Sequence, residues 1–132
     1  MAEKRLIVVK VGSAVLAPDG KLDPERLTLL ALDIAGVTRK NCEVVLVSSG
    51  AVAAGLHGVG LTKRPSAIVM KQAAAAVGQS RMVGAWSRAF EPFGLSVAQV
   101  LLTPDVLDDR GRFLNARRTL ETLLDHGVIP MV

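Results

Sequence analysis

Three short segments hold the side chains with which this sequence could do chemistry: Lys10-Val11-Gly12-Ser13, Ser48-Ser49-Gly50-Ala51 and Thr103-Pro104-Asp105. Lys10 is the most informative of these residues. It falls within the run Leu6-Ile7-Val8-Val9-Lys10-Val11, where a lysine is rarely buried without a partner. One reading is a strand-end lysine whose ammonium reaches out to solvent. The other is a lysine aimed at a phosphoryl group in transfer. The neighbours favour the second, because Gly12 lets backbone approach phosphates and Ser13 can add a donor. Ser49 and Gly50 read as a helix cap and tight turn. They read equally well as a cradle for a substrate carboxylate, since N–H groups at a helix start, with the helix dipole behind them, favour an anion. The two readings are compatible.

Other chemistries lack their residues. G-x-x-x-x-G-K-[ST] is absent, because Gly20-Lys21 has Val15 at the first glycine position and Leu22 after the lysine. A G-x-G-x-x-G turn is absent, because Gly58-Val59-Gly60 continues to Lys63. There is no protein-kinase signature set. No histidine or acid lies near Ser49 to make it a nucleophile, and G-x-S-x-G is missing. Two histidines and one cysteine, far apart, make no metal site. His57 reads as a loop histidine without a role, and Cys42 as a small buried hydrophobe.

The elements that must position these segments alternate along the chain. Leu6 to Val11 reads as a buried strand. Asp23-Pro24-Glu25 starts a helix, with Asp as cap and Pro at the first helical position. Leu27, Leu30, Ile34 and Val37 give it an apolar stripe, and Asn41 stops it. Val44 to Val47 is a second strand. A small-residue helix from Ala51 is broken by Gly55, Gly58 and Gly60. Ser66 is placed to cap the next helix, which carries Ile68, Ala75 and Val83 to about Phe90. Within it Ala73 to Ala76 with Gly78 forms a slim segment, for close packing or close approach to a ligand. Leu95 to Leu102 is a third strand, closed by Thr103-Pro104. Asn115 to His126 is a helix with Gly127 just past its end, and Val128 to Val132 begins a fourth strand. This alternation predicts an α/β fold, a parallel sheet with helices on both faces and right-handed crossovers. In such a sheet ligands collect at the carboxyl ends of the strands, where the first two segments fall.

Composition narrows the class further. The chain has 132 residues, 50% of them hydrophobic, too apolar for disorder. No run approaches the ~18 apolar residues of a membrane span. The lone Cys42 cannot form an internal disulfide, and Met1-Ala2-Glu3-Lys4-Arg5 begins no signal peptide, so a cytoplasmic location is expected. The net charge of +4 could suit nucleic acid, but with aromatic residues at 3% there are few stacking platforms. The local concentration Arg110, Arg112, Arg117 and Arg118 is interleaved with Asp105, Asp108, Asp109 and Glu121. It reads as a solvated or structural face, with one or two arginines at an oligomer contact.

Four segments carry a resemblance. They are Val8 to Ser13, Val47 to Gly55, the stretch from Lys71-Gln72 through Gly78-Gln79-Ser80-Arg81, and Arg112-Phe113-Leu114-Asn115-Ala116-Arg117. Together they resemble the amino acid kinase family, and within it the glutamate 5-kinases, over the whole chain and in order. The resemblance implies an α/β/α sandwich and ATP-dependent phosphorylation of the γ-carboxylate of L-glutamate to glutamyl 5-phosphate, the first step of proline biosynthesis. It implies ATP and Mg²⁺ as cofactors, proline as feedback inhibitor, and a homo-oligomer, dimer or tetramer, with no nucleic-acid or membrane partner. By the same resemblance Lys10 is the catalytic lysine on the ATP phosphates, Gly12 and Ser13 belong to the phosphate-side loop, and Ser49, Gly50 and Ala51 form the glutamate turn. No metal ligand is assigned. The chemistry agrees: a carboxylate nucleophile is ionised near pH 7 and needs positioning and positive charge rather than a base.

The resemblance also implies that residues 1–132 are the amino-acid side of a larger domain, without its nucleotide-binding half, so that this chain alone is inactive. The alternatives are a non-catalytic folded fragment that self-associates or binds glutamate weakly, and a sibling such as acetylglutamate kinase. The sibling would carry Gly-Gly where Gly12-Ser13 stands.

Overall fold

A computed structural model describes residues 3–132. Four strands run in parallel: β1 (Arg5–Val11), β2 (Cys42–Ser48), β3 (Ser96–Gln99) and β4 (Val128–Met131). Their spatial order is β1-β2-β4-β3. The expected parallel α/β architecture is therefore present.

The crossovers explain where the helices go. β1 leads through α2 (Pro24–Thr38) to its neighbour β2. β2 leads through α3 (Ala51–Gly55) and α4 (Ile68–Phe90) to β3 at the far edge. β3 then returns through α5 (Arg110–Asp125) to β4, between β2 and β3. Right-handed crossovers that travel in opposite directions across a sheet lay their helices on opposite faces. α2 and α4 accordingly share the main core, and α5 packs on β4 without contributing a residue to that core.

The core joins the two helices to one sheet face. Leu27, Ala31 and Ile34 of α2 meet Met82, Trp86 and Phe90 of α4 over Val11, Val44, Leu46, Ile129 and Met131. Trp86 and Phe90 stack with ring centroids 5.6 Å apart. The stripe read from the sequence is correct: Leu27 and Ile34 are buried, and Leu30 and Val37 pack partly against them. Among the described residues α5 is the helix on the opposite face, and that face is bare over β1, where Leu6 and Val8 are 60% and 61% exposed.

Several boundaries differ from expectation. α4 is capped by the extended backbone of Ala67 without a side-chain bond, not by Ser66. β3 stops at Gln99 rather than Leu102. α5 begins at Arg110, not Asn115, because the Asp109 carboxylate accepts from the N–H groups of Gly111 and Arg112. Asn41 sits beyond the helix in the left-handed region, at φ 60°, a conformation its short polar side chain tolerates. Cys42 is half-buried, not a core residue. α4 also begins with Ile68 in solvent, at 71% exposed.

Candidate functional site

Backbone register brings the first two chemical segments together. Val11 lies opposite Ser48 at the carboxyl ends of β1 and β2. Just beyond, the Ser49 N–H donates to the Val11 carbonyl at 2.9 Å. The Gly12-Ser13 corner and the Ser49-Gly50-Ala51 turn thus share one rim. Lys10 stands one residue before it, opposite Val47. In a strand that alternates faces, Lys10 shares the outward face with Leu6 and Val8. It is exposed, and among the described residues no carboxylate forms an ion pair with it.

The two glycines do different work. Gly50 is buried at φ +107°, a conformation that costs most other residues. From there its carbonyl accepts the Ala54 N–H at 2.9 Å and opens α3. Gly12 is neither strained nor crowded: its φ is −80°, and an added Cβ would meet nothing within 4 Å. Neither the packing nor the backbone of this chain requires a glycine at position 12.

The helix dipole expected behind these turns is slight. The helix after Gly12, α1 (Ser13–Leu16), has 4 residues and α3 has 5, too few aligned peptides for a sizeable macrodipole. Whatever positive potential this rim has comes from individual N–H groups and from cationic side chains. Two such side chains escaped the sequence reading. Lys63 and Arg64 line a cleft of about 390 Å³ with Ser13, Asp19, Val52 and Thr62. Their signal was a basic pair between the Gly60 break and Pro65.

The third segment stands apart. β3 ends before Thr103, and Asp105 lies in an exposed turn, ion-paired to Arg112. A hydrogen bond from the Thr103 side chain, then backbone and Arg112 contacts, hold the Asp105 carboxyl below the ordinary aspartate range. This segment organises the approach to α5. Arg117 pairs with Glu121 one turn on, as a structural face would. A larger cleft of about 550 Å³, lined by Lys21, His57, Arg81 and Arg88 among others, holds none of the expected site residues. Among the described residues no group of three or more His, Cys, Asp or Glu could hold a metal, and no helix is long and apolar enough to cross a membrane.

The parallel α/β sheet sets two glycine-containing turns on its carboxyl rim, with Lys10 just before them, and the carboxyl ends of the strands are where ligands bind in open α/β sheets. The chain belongs to the amino acid kinase family, whose profile matches residues 5–132. It is similar to the glutamate 5-kinases of Thermus thermophilus (52% identity over 132 residues) and Syntrophotalea carbinolica (50% over 132), covering 100% of this chain and 35% of each relative. The chain therefore spans about a third of the length of these curated relatives. Among solved structures it resembles carbamate kinase from Giardia lamblia bound to AMP-PNP. There the TM-score is 0.62 at 18% identity, over 99% of this chain and 56% of that one. At that identity the likeness is one of fold.

Proposed function

We propose that this chain is the amino-acid-substrate side of a glutamate 5-kinase. The whole protein would transfer the γ-phosphoryl group of ATP to the γ-carboxylate of L-glutamate. A carboxylate oxygen forms the new bond to phosphorus, the bond from phosphorus to the bridging oxygen of ADP breaks, and glutamyl 5-phosphate and ADP leave. This reaction would be the first step of proline biosynthesis, with proline as feedback inhibitor and a homo-oligomer as the working form. The observation that carries this reading is the shared rim. The 2.9 Å bond from Ser49 N–H to the Val11 carbonyl sets the Ser49-Gly50-Ala51 turn beside the Gly12-Ser13 corner, which supports reading the two as one site. Similarity to glutamate 5-kinases across all 132 residues supports the choice of substrate.

On this reading Lys10 neutralises charge on the transferring group, Gly12 and Ser13 admit and contact the phosphates, and Ser49, Gly50 and Ala51 hold the glutamate. Stabilising spread charge by preplaced donors is what a loose phosphoryl transition state requires. Lys63 and Arg64 give the same rim positive potential. ATP suits these residues. Mg²⁺ would enter chiefly on the ATP phosphates, which need few protein ligands.

The test uses the full-length protein. Glutamate and ATP together should give ADP and an acyl phosphate that hydroxylamine traps as a hydroxamate. N-acetylglutamate and carbamate should not replace glutamate. Equal turnover with N-acetylglutamate would assign a sibling activity, and no turnover with glutamate would end the proposal.

A further inference from the structure

α4 lies under the amino-acid turn and touches it at two points, each through an unusual contact. At the first, α3 and α4 meet backbone to backbone. A Cβ built on Gly78 would stand 1.6 Å from the Ala51 carbonyl oxygen and 2.6 Å from the Gly55 nitrogen. A Cβ on Gly55 would stand 1.7 Å from the Ala74 carbonyl oxygen and 2.6 Å from the Gly78 nitrogen. The crossing is reciprocal, and both glycines are buried. The atoms in the way are backbone, so no rotamer change relieves them. At the second point, the Trp86 indole N–H donates to Ser48 Oγ at 3.0 Å, and Ser48 Oγ donates to the Ser49 carbonyl at 3.1 Å. Trp86 is fully buried. One end of the turn is thus hydrogen-bonded to α4, and the other is seated in it.

We infer that Gly78, Gly55 and Trp86 are positioning residues that set the height of the Ser49-Gly50-Ala51 turn above the sheet, and with it the fit of the amino-acid substrate. This rests on the function proposed above for that turn. The slim segment of α4 is then explained by packing rather than by direct approach to a ligand. Ordinary contact begins near 3.4 Å, so an alanine at either glycine must lift α3 by on the order of 1 Å or more in a close-packed interior. Gly12 has no backbone crossing of this kind, since a Cβ there meets nothing within 4 Å, and the hydrogen-bonded link from this corner to the turn is the bond from Ser49 N–H to the Val11 carbonyl. The two substrates should therefore respond differently. A displacement of about 1 Å at a reacting group costs roughly 10²-fold.

The experiment is steady-state kinetics on the full-length kinase with Gly78→Ala, Gly55→Ala, Trp86→Phe and Ser48→Ala. Gly36→Ala serves as control, because a Cβ there meets nothing within 4 Å. The glycine variants should lose about 10²-fold in kcat/KM for glutamate, mainly through KM, while KM for ATP stays within twofold. Trp86→Phe and Ser48→Ala should raise glutamate KM about tenfold, and the control should change neither constant. A merely structural role would lower melting temperature and active fraction, and KM does not report active fraction. If the glycine variants fail to fold, the Trp86 and Ser48 variants decide. Folded variants that keep glutamate KM within twofold, or raise both KM values together, overturn the inference. A wild-type enzyme that prefers another amino acid overturns the assigned substrate instead, and the same split is then measured with that substrate.

Discussion

Lys10 stands on the exposed, outward face of β1, where solvent answers its charge, and has no carboxylate partner among the described residues. If it serves the transferring phosphoryl group, Lys10→Ala in the full-length enzyme should lower kcat by more than tenfold, over ~1.4 kcal/mol. Survival of kcat within tenfold would remove the role. Gly12→Ala gives a sharper test, because the chain itself tolerates a methyl group there. Its thermal stability should stay within about 1 kcal/mol, while KM for ATP rises at least tenfold. Thr103 and Asp105 allow a test by titration. A carboxyl whose folded pKa is lowered stabilises the fold above its ordinary range, and loses that contribution as pH falls through the folded value. For Asp105 the window is the acid region below about pH 4. Thr103→Val should move its titration, followed by NMR at the carboxyl carbon, back toward the ordinary range. Lys10, Gly12 and Ser49 stood out as candidates in the sequence because each departs from its local pattern. Lys63 and Arg64 could not, because a surface basic pair looks the same whether or not a cleft opens beside it.

At the scale of elements, sequence showed which segments are helical better than where they begin. α2 announces itself, with Asp23 as cap accepting from Glu25 N–H and Pro24 behind it. α5 hides its first turn behind Gly111, a poor helix former, and only the Asp109 carboxylate reveals it. Asp109→Ala removes that acceptor from two N–H groups, and should cost ~1 kcal/mol in urea denaturation. An unchanged midpoint would mean that the first turn is held by something else. Trp86→Ala, at the centre of the core, should cost about 3–5 kcal/mol. The α3–α4 crossing lay beyond sequence reading. Gly55 and Gly78 are each visible, but nothing in their types says that two residues so far apart in the chain face each other.

For the whole molecule the sheet has one finished face and one open face. Leu6 and Val8 stand in solvent on β1 because, among the described residues, α5 is the one helix on that side and it packs on β4. Exposed apolar surface of this kind drives association. The 132-residue chain on its own should therefore elute above monomer mass in size-exclusion chromatography and show no glutamate-dependent ADP formation. Leu6→Lys with Val8→Lys should return it to monomer mass. A monomer without these changes would show that the open face is inert, and turnover would show that the amino-acid side is sufficient by itself.

The strand order has a consequence for synthesis on the ribosome. β4 follows β3 in sequence, yet it is the strand that joins β3 to β2. It enters with Ile129, Pro130 and Met131 buried. Until it emerges, β3 has no neighbour in the sheet, and β1 and β2 form a pair with one free side. At about 5–20 residues per second, the growing chain spends a few seconds with its sheet in two unjoined pieces. Nascent chains halted before Val128 should be cut readily by protease around β3, and those halted after β4 has cleared the exit tunnel should resist. In this fold translation does not extend an existing sheet from its edge; it closes a gap in the middle.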